Sequence, residues 1–109
     1  MNNMICLVGR LVKDPELRES ENGAKYISIT LAIPRSFKNI DGVYETDFIP
    51  VKLWGGIAEN TAEWCEKGDV VGIRGRVQRV GNDYTANGFP ILEVVAERVT
   101  FITSKRSEE

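Results

Sequence analysis

Apolar and polar side chains alternate singly along most of this chain. Positions 26–33 read Tyr-Ile-Ser-Ile-Thr-Leu-Ala-Ile, which puts Ile27, Ile29, Leu31 and Ile33 on one face and Ser28, Thr30 and Ala32 on the other. Period two sustained over that length predicts a half-buried strand. The same reasoning predicts strands at 4–12, 48–54, 70–80 and 92–102. In the first, Ile5, Leu7 and Leu11 oppose Val8 and Arg10; in the last, Leu92, Val94 and Ala96 oppose Glu93, Val95 and Glu97. Positions 57–67 break the pattern. Ile57, Thr61, Trp64 and Cys65 recur at helical spacing, and Lys67-Gly68 supplies the basic last turn and glycine stop of a helix end. Trp64, on the apolar stripe, is expected in the core or in the packing of the helix. Tyr26, which opens its strand, is expected to be structural.

Five short strands with one helix between the third and fourth is the layout of an OB-fold, an all-β, five-stranded Greek-key barrel. Gly9, Gly72 and Gly75 fall inside strands, where a small barrel needs bends or close backbone approach. Asp41-Gly42, between Ile40 and Val43, is a two-residue hairpin signal, which makes 34–46 a long hairpin arm between the second and third strands. A second long connection, 81–88, joins the fourth and fifth. At 109 residues the chain has room for one core, so a single domain is expected over 1–103, followed by a short polar end at 104–109.

Composition narrows the chemistry. The chain has no histidine, which excludes an imidazole base, a histidine-dependent triad and an imidazole metal ligand. Cys6 and Cys65 are too few for a zinc site or a disulfide framework and are expected to be free, mostly buried thiols in a reducing cytosol. No apolar run approaches membrane-spanning length, and Met1-Asn2-Asn3-Met4 gives no basic start of a signal peptide. No cofactor or metal is expected. The formal net charge is −2, yet it is uneven: residues 1–69 carry 8 basic and 11 acidic side chains, and residues 70–106 carry 6 and 3. A local basic face therefore fits within an acidic protein.

The third strand is the informative one. With Ile49, Val51 and Leu53 turned to the core, its other face presents Phe48, Pro50, Lys52 and Trp54. Two large rings flanking a lysine on the outside waste apolar area unless something covers them. A single-stranded nucleic acid would, its bases stacked on rings and its phosphates on cations; so would a loop or a neighbouring subunit. Arg74 and Arg76 on the outer face of the fourth strand favour the nucleic acid, as do Arg35, Phe37 and Lys38 on the arm and Arg10 on the outside of the first strand. Tyr84, in the polar second connection, is either a base contact or a loop anchor. The carboxylate pairs Asp14/Glu16 and Glu19/Glu21 lie in a loop without supporting ligands, a poor basis for an enzyme.

Leu7-Val8-Gly9-Arg10-Leu11, Asp14-Pro15-Glu16-Leu17-Arg18 and Asn22-Gly23 closely resemble the start of bacterial single-stranded DNA-binding proteins. Thr30-Leu31-Ala32, Glu59-Asn60, Lys67-Gly68, Gly75-Arg76 and Glu93-Val94 extend the resemblance, in order, over about residues 1–103. It implies a non-catalytic, sequence-independent binder that protects single-stranded DNA in replication, recombination or repair, in the cytoplasm and with the nucleoid. It also implies a homotetramer in which the N-terminal strand pairs between subunits. The family's stacking rings fall on Phe37, Phe48 and Trp54, with Tyr84 the nearest aromatic to a fourth. Pro50 stands where the family often has a polar or basic residue, which suggests an edge or a bulge. Members typically continue into a flexible linker and an acidic tip that recruits other enzymes. Ser104 to Glu109 offer neither, so tail-dependent partners are expected to bind weakly or not at all. The alternative is an OB-fold primosomal or recombination accessory protein that acts mainly through protein contacts.

Overall fold

The computed structural model describes residues 1–103, the side chain of Asp83 excepted; the short polar end expected at 104–109 lies outside the described residues. The elements are β1 (Ile5–Leu11), β2 (Arg18–Glu19), β3 (Lys25–Lys38), β4 (Tyr44–Trp54), α1 (Gly55–Trp64), β5 (Val70–Tyr84) and β6 (Pro90–Thr103). The sheet runs β1-β5-β6-β4-β3, and β1 returns to pair with β3, which closes a five-stranded barrel; β2 is a two-residue addition on the outer edge of β3. All pairings are antiparallel except β4 with β6. This is the OB-fold that the alternation predicts, with its helix between the third and fourth barrel strands.

The inward set fixes the register. Ile27, Ile29 and Leu31 of β3 face Leu53, Val51 and Ile49 of β4, and join Leu11, Val71, Ile73 and Ala96 in one core. Each leucine, isoleucine or valine contributes about 1.5–3 kcal/mol when fully buried. A one-residue slip would turn the whole set to water. Gly9 and Gly75 mark close approaches: a Cβ on Gly9 would stand 2.7 Å from Cγ1 of Ile33, and one on Gly75 would overlap the Val95 carbonyl. Gly72 has only ordinary contacts at its Cβ position, so close backbone approach does not account for it.

Three turns share one design. Ser20, Asn39 and Thr85 each receive a backbone N–H from the glycine three residues on (Gly23, Gly42, Gly88), and each donates its own N–H to the residue after that glycine. Each also offers a side-chain oxygen to a backbone N–H within the same turn or just after it. The glycines have φ of 82°, 76° and 83°, a left-handed conformation that costs other residues energy. The arm turn is therefore a loop from Asn39 to Val43 rather than a two-residue turn at Asp41-Gly42. The second connection is shorter than expected, because β5 runs on to Tyr84, which pairs with Pro90.

The helix also differs from its prediction. It starts at Gly55, whose φ of 61° turns the chain out of β4, and ends at Trp64, before Lys67-Gly68. Those two residues lie in a turn docked on β1, where Gly68 N–H donates to the Leu11 carbonyl and Lys67 N–H to Asp14. Helix α1 has no side-chain cap and is too short to be stable alone; it is held by Ala58 and Thr61, which are fully buried, with Cys65 just beyond. Trp64, expected in the core or in the packing of the helix, is 42% exposed. The stripe that packs is Ala58, Thr61 and Cys65, and Trp64 falls on its flank. No helix among the described residues is long and apolar enough to cross a membrane.

Candidate nucleic-acid interface

The pleat of β4 places Phe48, Pro50, Lys52 and Trp54 on the outside of the barrel. Phe48 is 64% exposed and Trp54 41%. Across from them stand the outer residues of β3: Ala32 opposite Phe48, Thr30 opposite Pro50, Ser28 opposite Lys52 and Tyr26 opposite Trp54. The small side chains of Ser28, Thr30 and Ala32 leave the rings standing above a shallow floor. Ala32 is also opposite Arg10 of β1, whose Nη1 donates to the Gly68 carbonyl at 2.6 Å. Arg10 thus borders the ring face while bracing the turn after α1.

Tyr26 belongs to this face too. Its ring centroid lies 5.2 Å from that of Trp54, tilted by 40°. The Lys52 Nζ sits 4.7 Å from the Tyr26 centroid and 5.8 Å from that of Trp54. The expectation of a merely structural tyrosine missed this grouping, although Tyr26 shares the parity of Ser28 and Thr30, and that signal places it outside.

Beside Lys52 the barrel seam is short. Strands β4 and β6 pair only at Val51–Val94 and Lys52–Val95. Where they part, a cleft of about 340 Å³ opens between Ile49, Pro50, Val77, Leu92 and Val94, with Lys52 at its rim. Pro50 stands just before the seam, where β4 is paired on one side only, as its missing N–H requires.

The remaining cations differ in availability. On the arm, Arg35 forms a bidentate pair with Asp47, both bonds 3.0 Å, and a third bond to Glu45 at 2.7 Å. Hydrogen bonding to Asp47 and the charges of both carboxylates push the Arg35 pKa up, and the bond from Arg35 draws that of Asp47 down. Lys38 lies over the Tyr44 ring at 5.7 Å, and Phe37 is exposed. Arg76 is half-buried, bonded to Gln78 and Glu97. It shares a row with Lys52 through Val95. Arg74 is exposed and forms no ion pair among the described residues, but it stands on the β1–β5–β6 side, opposite Cys6 and Arg98. The strand order separates it from the rings. Tyr84 is exposed, its hydroxyl 3.4 Å from Nη1 of Arg79. Phe89, which the sequence reading passed over, is exposed at the same hairpin tip; the apolar run Phe89-Pro90-Ile91-Leu92 was its signal.

The thiols have no part in this face. Burial, with the Asp69 charge second, pushes Cys65 up to about 11, so it stays a thiol. Cys6, expected to be buried, is exposed because it shares the outward parity of Val8 and Arg10. Among the described residues, no group of three or more potential ligands is placed to hold a metal.

Residues 2–102 match the model of the single-strand binding protein family. The chain is 44% identical to single-stranded DNA-binding protein B of Bacillus subtilis, over all of this chain and 97% of that protein. It is 42% identical to single-stranded DNA-binding protein 1 of Clostridium acetobutylicum (95% and 96% covered), and 44% identical to single-stranded DNA-binding protein 3 of Listeria innocua (98% and 68%). The outward rings of β4, the barrel that presents them and a match over nearly the whole chain agree: the chain belongs to the single-strand binding protein family.

Proposed function

We propose that this protein binds and protects single-stranded DNA without regard to sequence and without a catalytic step, in replication, recombination or repair. The observation that carries the reading is the outer face of β4, where Phe48 and Trp54 flank Lys52 and the barrel core has no use for them. Rings offer π-faces to every base, and an ammonium offers charge to every phosphate, so the pairing is indifferent to sequence. Phe37, Lys38, Arg10 and Tyr84 extend the track, Arg35 and Arg76 reach it only by giving up their carboxylate partners, and Arg74 is met only by a DNA strand that passes on to the β1–β5–β6 side.

The working form is a homotetramer, in the cytoplasm and at the nucleoid. Support comes from β1: β5 covers one of its edges from Ile5 to Arg10, and β3 covers the other only at Arg10 and Leu11. An uncovered edge invites a second strand, and closed dihedral symmetry completes such an assembly.

The test is a titration of the full chain with labelled oligo-dT, and with a duplex of equal length, followed by anisotropy and tryptophan fluorescence. Trp64 is as exposed as Trp54, so a Trp54→Phe variant is needed to assign the quenching. Tight binding of the single strand, with quenching that disappears in that variant, is expected. Equal affinity for duplex would refute the reading.

A further inference from the structure

We propose that Tyr26 is a positioning residue of the DNA site, joining Lys52 and Trp54 into a single nucleotide seat, with the base on Trp54 and its phosphate on Lys52. The inference rests on the function proposed above and adds a residue to it. Lysine carries its charge on a long, flexible stem that must be immobilised before it can hold a phosphate. Here the ammonium is already held, nearer the Tyr26 ring (4.7 Å) than the Trp54 ring (5.8 Å). Tyr26 also lies directly opposite Trp54 in the ladder, its ring 5.2 Å away, and so limits the rotation of the indole. Both partners are therefore set before DNA arrives. The core does not require this ring. The core is built from the inward residues on either side, Ile27 and Leu53 among them, and Tyr26 has no place in it.

Immobilising a rotamer-rich side chain at an interface costs about 0.5–1.5 kcal/mol, a factor of about 2 to 12 in affinity. Loss of the Tyr26 ring moves that cost from folding to binding. The aromatic face is what matters, so Tyr26→Phe keeps the effect and Tyr26→Val, which suits a strand but has no π-face, removes it.

The experiment is a binding cycle on the full chain with labelled oligo-dT, using Tyr26→Phe, Tyr26→Val, Lys52→Met and the Val/Met double variant, with melting temperatures alongside. Expected are wild-type affinity for Phe, a two- to twelvefold loss for Val, and a smaller further loss when Val is added to Lys52→Met, since only the share that acts through Trp54 then remains. Equal affinity of Val and Phe, or strictly additive losses, would overturn the proposal while leaving single-strand binding intact. If the wild type itself ignores oligo-dT, the functional reading fails instead, and this proposal with it. A second measurement needs no variant at position 26. In the free wild type, one lysine Cε methylene resonance, assigned by its loss in Lys52→Met, should lie upfield from ring current. Lysine Cε resonances all at their usual positions would overturn the seat.

Discussion

The β3–β4 face and the hairpin arm carry the same ingredients, cations interleaved with aromatics, and the fold treats them differently. On the face, Lys52 lies against two rings and meets no carboxylate among the ion pairs of the described residues. On the arm, Arg35 is engaged by Asp47 and Glu45, so three charged groups sum to −1. Lys52 presents its charge and Arg35 has its own consumed, while Lys38, over the Tyr44 ring, is the arm's counterpart of Lys52. The order of residues shows which side chains share a strand, and the partners decide which remain available to a ligand.

The sharpest way to break that contrast is to remove one ring from each region. Trp54→Ala should lose about 1–3 kcal/mol of oligo-dT affinity by titration, and Phe37→Ala on the arm should lose less. A larger loss from Phe37 would reverse the ranking. Next come the cations. Lys52→Ala should lower the logarithmic salt slope by about 0.7, whereas Arg35→Ala should leave it unchanged; a drop in both would show that DNA pulls Arg35 from its carboxylates. The same slope separates the two β5 arginines: Arg74→Ala should flatten it more than Arg76→Ala, whose guanidinium already serves Gln78 and Glu97. Releasing the arm sharpens the comparison from the other side. Asp47→Asn should steepen the slope and strengthen binding slightly at low salt, with the gain gone at high salt.

The smallest effect is in pH. The Asp47 carboxyl lies below its ordinary 3.8 because Arg35 hydrogen-bonds its charged form. Its pairing therefore supports the arm fully above that ordinary value and is lost as pH falls through the depressed one. A carboxyl-carbon NMR titration of Asp47 should show a midpoint below that of a free aspartate, and Arg35→Ala should return it to normal.

Parity made the barrel legible. Alternation alone put Ile27, Ile29, Leu31, Val51 and Leu53 inside and Phe48, Lys52 and Trp54 outside, because a strand has only two faces. The same rule extended to Tyr26 would have found the third member of the ring cluster. Trp64 was misplaced because a helix has flanks as well as faces. The fate of Arg35 was not legible, because its partners lie across a hairpin whose register is set by a turn from Asn39 to Val43 and shifted between Pro34 and Lys38. The strands of the arm and the second hairpin run longer than alternation predicts because both their faces meet solvent there, and alternation then carries no signal.

Strand β1 precedes the other strands in the chain and is among the last to be satisfied. Ile5 waits for Gly75, and Asn3, whose side-chain amide brackets both backbone groups of Val77, waits longer still. Pairings that distant in sequence slow folding and leave strand edges open to other chains meanwhile. Strands β3 and β4 are under no such delay, for one short turn brings Tyr26 opposite Trp54 and Ser28 opposite Lys52. A nascent chain therefore assembles the ring-bearing face of β3 and β4 before the barrel behind it has closed, and any crowding that stalls closure leaves that apolar hairpin exposed on an unfinished molecule.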